Sequence, residues 1–311
     1  MRVLVTGANG FVGRWLVRLL LTNNSLEPTQ LLLLDRKFNI AHTDPRIQTL
    51  EGDFFQPQVL EAALAKPVGV VFHLASIPGG LAEQALELGL EVNLKGTLAL
   101  FEALRKQPRA PVVVFASSIA VYGSPLPERV DAQTPPNPSS SYGTQKLLGE
   151  YLLLDYSRRG ELDGRALRLP GIVARPAEPS GLVSAFMSEV MHRLKAGQPC
   201  TAPVSPQATM WWMSAHCCAI NLIHAATLPS QAVYPRVTLL PALRASLQEV
   251  VDGLAACYGS NRRHLIRYQP DEAIESRFGR FPSLDASVAE AMGFRHDGDV
   301  NSLIFNALER A

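Results

Sequence analysis

Short runs of apolar residues alternate along the first half of the chain with longer stretches whose apolar positions recur every three or four residues. The runs VLVTG (3–7), LLLLD (31–35), VVFHLA (70–75) and VVVFASS (112–118) are continuous rather than alternating, the pattern of strands buried on both faces. Helical period marks residues 11–21, 81–105 and 142–157, and 164–169 returns to a strand pattern. Strands separated by helices predict a parallel sheet covered on both sides, the doubly wound α/β class.

Residues 124–141 interrupt the pattern with prolines at 125, 127, 135, 136 and 138. They predict a loop beside the carboxyl edge of the sheet, where lids and binding loops lie. Past Pro170 and Pro176 the alternation fades. A helix is expected over 180–195, then a proline-rich turn region, a helix near 215–226, a strand over 236–240 and a helix over 247–258. This irregular last third predicts a smaller C-terminal substrate lobe. Residues 1–173, with about 214–240, are expected to form the dinucleotide-binding domain. Residues 174–213 and 241–311 are expected to form the lobe.

Composition narrows the function. The chain has 311 residues, 47% of them hydrophobic, and a net charge of +1 with basic residues scattered. No basic stripe offers itself to a phosphate backbone, so no nucleic-acid partner is expected. The N-terminal apolar stretch is short for a secretory signal and is broken by Gly7, and no apolar run reaches membrane-spanning length. Four cysteines are too few for a disulfide scaffold, which points to a reduced, cytoplasmic setting. Neighbouring Cys217 and Cys218, beside His216, lack zinc-ligand spacing, so no metal is expected.

The chemistry starts at Gly7-Ala8-Asn9-Gly10-Phe11-Val12-Gly13, a G-x-x-G-x-x-G turn between the first strand and the first helix. Glycines there permit a tight turn and let backbone approach a pyrophosphate at the positive end of the helix. The turn makes the predicted sheet a Rossmann fold and Asn9, Phe11 and Val12 candidate cofactor contacts. Asp35 ends the second strand, where a carboxylate accepts hydrogen bonds from adenosine ribose hydroxyls and repels a 2′-phosphate, which favours NAD. Arg36 beside it is a residue type that holds that phosphate, so NADP stays open on these residues alone. Asp53, in EGDF after a third strand, is a candidate adenine contact and equally a turn former.

Ser118, Tyr142 and Lys146 complete the set. Tyr142 and Lys146 stand four apart at the start of a helix and project from one face. A free phenol titrates near a pKa of about 10, and a neighbouring ammonium favours its phenolate. Ser118 ends a strand at the carboxyl edge, where ligands of this class bind and its hydroxyl can hold a reacting oxygen.

Together VTGANGFVG, HLAS, VNLKGT, SSIAVYG and SYGTQK resemble the extended short-chain dehydrogenase/reductase family along the whole chain. The resemblance implies that Tyr142 is the base, that Lys146 lowers its pKa and holds the nicotinamide ribose, and that Ser118 binds the substrate oxygen. It implies a proton-relay role for Asn93, cofactor contacts at Ala75 and Pro170, and a homodimer built on helices 81–105 and 142–157. Within that family, IPGG, ELGLEVNLKGTLALFEAL, DYSRRGELDG and RLP followed by RP at Arg175–Pro176 resemble the D-erythronate dehydrogenase branch. That branch implies NAD-dependent oxidation of the 2-hydroxyl of a short sugar acid. Arg175 is then the candidate fork for the substrate carboxylate, with Ser76 and the 78–80 turn as further donors. Two departures stand out: residues 210–217 lack two arginines and a histidine that the branch carries, and Gly171 replaces a threonine. An epimerase or dehydratase that recycles its NAD is the alternative, and a non-catalytic cofactor sensor a third possibility.

Overall fold

In the computed structural model, which describes residues 1–22, 25–39, 41–176, 184–232 and 235–310, seven parallel strands form the main sheet. Their spatial order is Val237–Leu239, Asp163–Leu169, Val112–Ser118, Val70–His73, Arg2–Thr6, Gln30–Asp35 and Ile47–Glu51. The chain fills the sheet outward from Arg2–Thr6 in one direction, then returns to that strand's other side with Val70–His73. The reversal opens a crevice at the carboxyl ends of those two strands, where doubly wound sheets bind ligands.

Successive strand side chains face opposite ways, so one run feeds two cores. Val3, Val5, Leu31 and Leu33 pack with Leu16 and with Leu222 and Ile223 of the helix Ala215–Thr227. Leu4, Leu32 and Leu34 pack on the other face with Leu100, Phe101, Phe115 and Leu153. A third core gathers Val190, Met191, Trp212, Val250, Leu254 and Leu303. It lies between the helices Ala185–Lys195, Leu247–Tyr258 and Val300–Leu308 and a small sheet of Gly171–Val173, Thr209–Ser214 and Leu243–Ser246.

Several elements differ from expectation. The helix expected over 81–105 is broken into Gly79–Gln84, Leu86–Gly89, a wide turn at Leu90–Gly96 with π-type bonding, and Thr97–Leu104. Ala85 leaves helical geometry at φ −125° and ψ 70°, and the wide turn carries Asn93 into the buried interior. The strands Thr209–Ser214 and Leu243–Ser246 fall where only turns and motif departures were read. Within the proline-rich loop, Arg129–Val130 pairs with Ser283–Leu284. Of the helix expected over 180–195, residues 180–183 lie outside the described residues. No helix among the described residues is long and apolar enough to cross a membrane.

Candidate active site

The glycine turn meets the start of the fourth crossover at close range. Gly7 has φ +71°, a left-handed conformation that glycine adopts at least cost, and a β-carbon there would sit 2.7 Å from the Ala75 nitrogen. At Gly13 a β-carbon would sit 2.2 Å from the Gly7 carbonyl oxygen, so the helix Phe11–Thr22 can lie against the turn only because both are bare. The first-turn amides of that helix, Phe11 and Val12 among them, have no carbonyl partner within it. They belong to residues lining a cleft of about 1030 Å³. This backbone cradle fits a dinucleotide pyrophosphate.

At one end of the cleft the Asp35 carboxylate is held by two amides, accepting from Asn9 N–H and Arg36 N–H at 2.8 Å each. Each oxygen keeps a lone pair for a ribose hydroxyl. Asp53 lines the cleft too, and its carbonyl accepts from Gln56 N–H at 2.9 Å, so it forms a turn and faces the cleft at once. Every residue expected to touch cofactor or substrate lines this cleft, from the glycine turn through Ala75, Ser76 and Pro170 to Arg175. Asn93 does not. Its side chain is buried behind the loop, accepting from Ile77 N–H at 2.7 Å and donating to the Ile77 carbonyl at 3.0 Å and Gln145 Oε1 at 2.8 Å.

Ser118, Tyr142 and Lys146 meet at the middle of the cleft. Ser118 Oγ accepts the Ala120 N–H at 3.1 Å, which leaves its hydroxyl hydrogen to donate elsewhere. The Ser76 and Ser118 hydroxyls stand close enough to the Tyr142 hydroxyl to favour its phenolate. Burial pushes the phenol above its ordinary range, while the bonds from Ser76 and Ser118 and the charge of Arg175 oppose that shift. Lys146 lies beneath the phenol ring, its Nζ 5.7 Å from the ring centroid, and donates to the Ala116 carbonyl at 2.8 Å. Burial pulls its pKa down to about 7, against the opposing charge of Glu150. Lys146 stands under the ring face, and the groups that favour the phenolate directly are Ser76, Ser118 and Arg175.

Arg175 is fixed by its backbone. Its N–H donates to Ser188 Oγ at 3.0 Å, its carbonyl meets His192 Nε2 at 2.9 Å, and its guanidinium lies 5.2 Å over the Phe11 ring. A further arginine, Arg277, lines the cleft from the helix Glu272–Phe278, and no motif announced it. Met187, Met210, Trp211 and Phe281 complete an apolar wall on that side.

Behind the cleft runs a chain of hydrogen bonds whose directions are forced. Thr97 Oγ1 donates to the Asn93 carbonyl (2.7 Å), so it must accept from His73 Nε2–H (3.0 Å). His73 Nδ1 then accepts from Thr6 Oγ1 (2.7 Å), whose oxygen faces the Ala75 N–H at 3.4 Å. His73 is therefore neutral, and burial and the nearby Lys146 charge lower its pKa to about 3. Sequence inspection passed over His73 and Gln145, because a buried polar residue carries no local periodic signal.

Fold and cleft define a dinucleotide-binding enzyme of the doubly wound class with a tyrosine-centred site. The chain belongs to the NAD dependent epimerase/dehydratase family, which it matches over residues 3–233. It is similar along its whole length to D-erythronate dehydrogenase of Cupriavidus necator, 37% identical with 100% of this chain and 99% of the relative covered. D-erythronate dehydrogenase of Haemophilus influenzae is 34% identical, with 99% of each chain covered. Among solved structures, the nucleoside-diphosphate-sugar epimerase from Agrobacterium tumefaciens superposes with a TM-score of 0.92 at 34% identity, over 99% of this chain and 94% of that one. The chain is thus an NAD-dependent oxidoreductase of this family, acting on CH–OH groups.

Proposed function

We propose that this enzyme oxidises the 2-hydroxyl of a short sugar acid, with Tyr142 accepting the hydroxyl proton. One observation carries the reading: Tyr142, Ser76, Ser118 and Arg175 line one cleft, and the two hydroxyls and the guanidinium are the groups that oppose the upward shift of the phenol. A 2-hydroxy acid presents its carboxylate one bond from the reacting carbon, where Arg175 can take it as a fork of N–H donors. Ser76 and Ser118 hold the substrate oxygen and donate to the phenolate, which lowers the cost of forming it. Lys146 supplies positive charge beneath the ring, and its ammonium holds the nicotinamide ribose. NAD, when bound, supplies the hydride acceptor. Asn93 acts through the loop 74–78 rather than on the reacting atoms. The names of the full-length relatives support a sugar acid as substrate and D-erythronate as the first to try.

The working form is a homodimer. Leu86, Leu90, Leu98, Leu148 and Tyr151 are exposed on helical segments that pack together, 79–104 and 141–158. A cluster of apolar side chains in water is what a partner would cover. All four cysteines are free thiols, which fits a reducing cytoplasm.

NADH appearance with D-erythronate and related four- to six-carbon acids tests the reaction. Wild type should produce NADH with at least one acid, and Tyr142→Phe should lose at least ~10²-fold in kcat while still binding NAD. Turnover of a nucleotide sugar without added cofactor, and silence on every acid, would establish the epimerase alternative instead.

A further inference from the structure

Beyond Pro170 two guanidiniums line the cleft, Arg175 and Arg277, and no carboxylate from that stretch lines it among the described residues. Their positions differ in kind. Arg175 is the guanidinium whose charge reaches Tyr142, so it sits where the carboxylate of a 2-hydroxy acid falls. Arg277 lines the cleft from the helix Glu272–Phe278, and it is not among the groups that act on Tyr142.

Arg277 is also uncommitted. The carboxylates on its own helix are taken: Glu272 by Arg280 at 2.9 Å, and Glu275 by Ser205 at 2.5 Å through the hydroxyl and 3.0 Å through the amide. Arg277 makes no hydrogen bond or ion pair among the described residues. Yet its helix is firmly placed. Asp271 caps it through Ala273 N–H at 2.9 Å, and its end is stitched to the strand Thr209–Ser214 by Thr209 N–H to the Gly279 carbonyl at 2.7 Å. Phe281 N–H returns to the Thr209 carbonyl at 3.0 Å, and Trp211 Nε1 donates to the Pro282 carbonyl at 2.9 Å. That strand presents only Met210 and Trp211 to the cleft, two side chains that offer a polyhydroxy tail nothing. The helix stitched to it supplies the missing donor.

We propose that Arg277 is the specificity-determining contact for the far end of the substrate, selecting acids whose tail carries oxygen at the fourth carbon. This rests on the sugar-acid reading above. A guanidinium presents five N–H donors in a planar fork, matched to neighbouring acceptor oxygens. Met210, Trp211 and Phe281, which line the same cleft, offer such oxygens no competing side-chain acceptor or charge.

The test compares kcat/KM for D-erythronate with that for D-glycerate, which has the same acid and 2-hydroxyl but lacks the fourth carbon. Wild type should favour D-erythronate. In Arg277→Met the erythronate-to-glycerate ratio should fall at least tenfold, through KM for erythronate. Arg277→Lys should recover part of it, and Arg280→Met should leave the ratio unchanged. An unchanged ratio in Arg277→Met, with wild type oxidising both acids, overturns the assignment of Arg277 and leaves the sugar-acid reading standing. Wild type silent on both acids, but stabilised against heat by UDP-glucose in an Arg277-dependent way, overturns both, since the cation would then serve a pyrophosphate.

Discussion

His73 shows how one side chain can be fixed by its neighbours' hydrogens. Thr97 spends its proton on the Asn93 carbonyl and Thr6 spends its own on His73 Nδ1, which leaves the ring one tautomer and no room for a second proton. The folded pKa of about 3 lies below the ordinary 6.5 because burial, and then the Lys146 charge, disfavour the imidazolium. The unfolded chain therefore binds the extra proton between those values and the folded one does not. The stability this neutral ring confers is complete above pH ~6.5 and lost as pH falls toward 3. Between pH 6 and 4, wild type should lose up to ~1.4 kcal/mol per pH unit more than His73→Gln, in denaturant unfolding measured at each pH. Parallel pH dependences would show that the ring is protonated in the fold. Tyr142 and Lys146 make the opposite point. Their spacing on one helix face was legible in the sequence, whereas the Ser76 hydroxyl that acts on Tyr142 comes from a loop about seventy residues earlier, which no local period links to it.

At the scale of elements, the loop 74–78 is the part that brings cofactor side and substrate side together. It carries Ala75 against Gly7 and Ser76 against Tyr142, and Gly79 just beyond it lies along the Tyr142 ring. Asn93 clamps the loop at both polar groups of Ile77, from its place in the wide turn Leu90–Gly96. Asn93→Ala would leave a buried N–H and a buried carbonyl without partners, at ~1–3 kcal/mol each. The variant should be destabilised by about 3 kcal/mol in urea unfolding and should lose turnover together with the placement of Ser76. A loss under ~0.5 kcal/mol would mean that the loop holds its position without the clamp. Helical period in residues 81–105 announced a helix but not its interruption, since apolar spacing does not mark the change of backbone geometry at Ala85. The strand Thr209–Ser214 was missed for a different reason: its buried run, Met210, Trp211, Trp212 and Met213, is only four residues long and holds no β-branched residue, so periodicity does not tell it from a piece of buried helix.

For the whole molecule, the exposed apolar positions on the helical segments 79–104 and 141–158 predict association. Tyr151→Asp, a charge placed in the middle of that face, should shift the protein from dimer to monomer in light scattering while leaving the far-ultraviolet circular dichroism unchanged. A wild type that is monomeric at tens of micromolar would sink the dimer. What the sequence determined by itself is the repetitive and the local. Continuous apolar strands dictate a sheet buried on both faces, glycines at 7, 10 and 13 dictate a bare turn, and a four-residue spacing puts Tyr142 and Lys146 on one side of a helix. Tertiary structure alone decided how distant groups share the cleft: Ser76 brought close to Tyr142, Asn93 behind rather than within the site, and Arg277 lining the same cleft as Arg175. The physical reason is range. Periodicity and turn chemistry act within a few residues, whereas a site at a sheet's switch point is assembled from the ends of strands and helices whose meeting depends on how the whole chain packs.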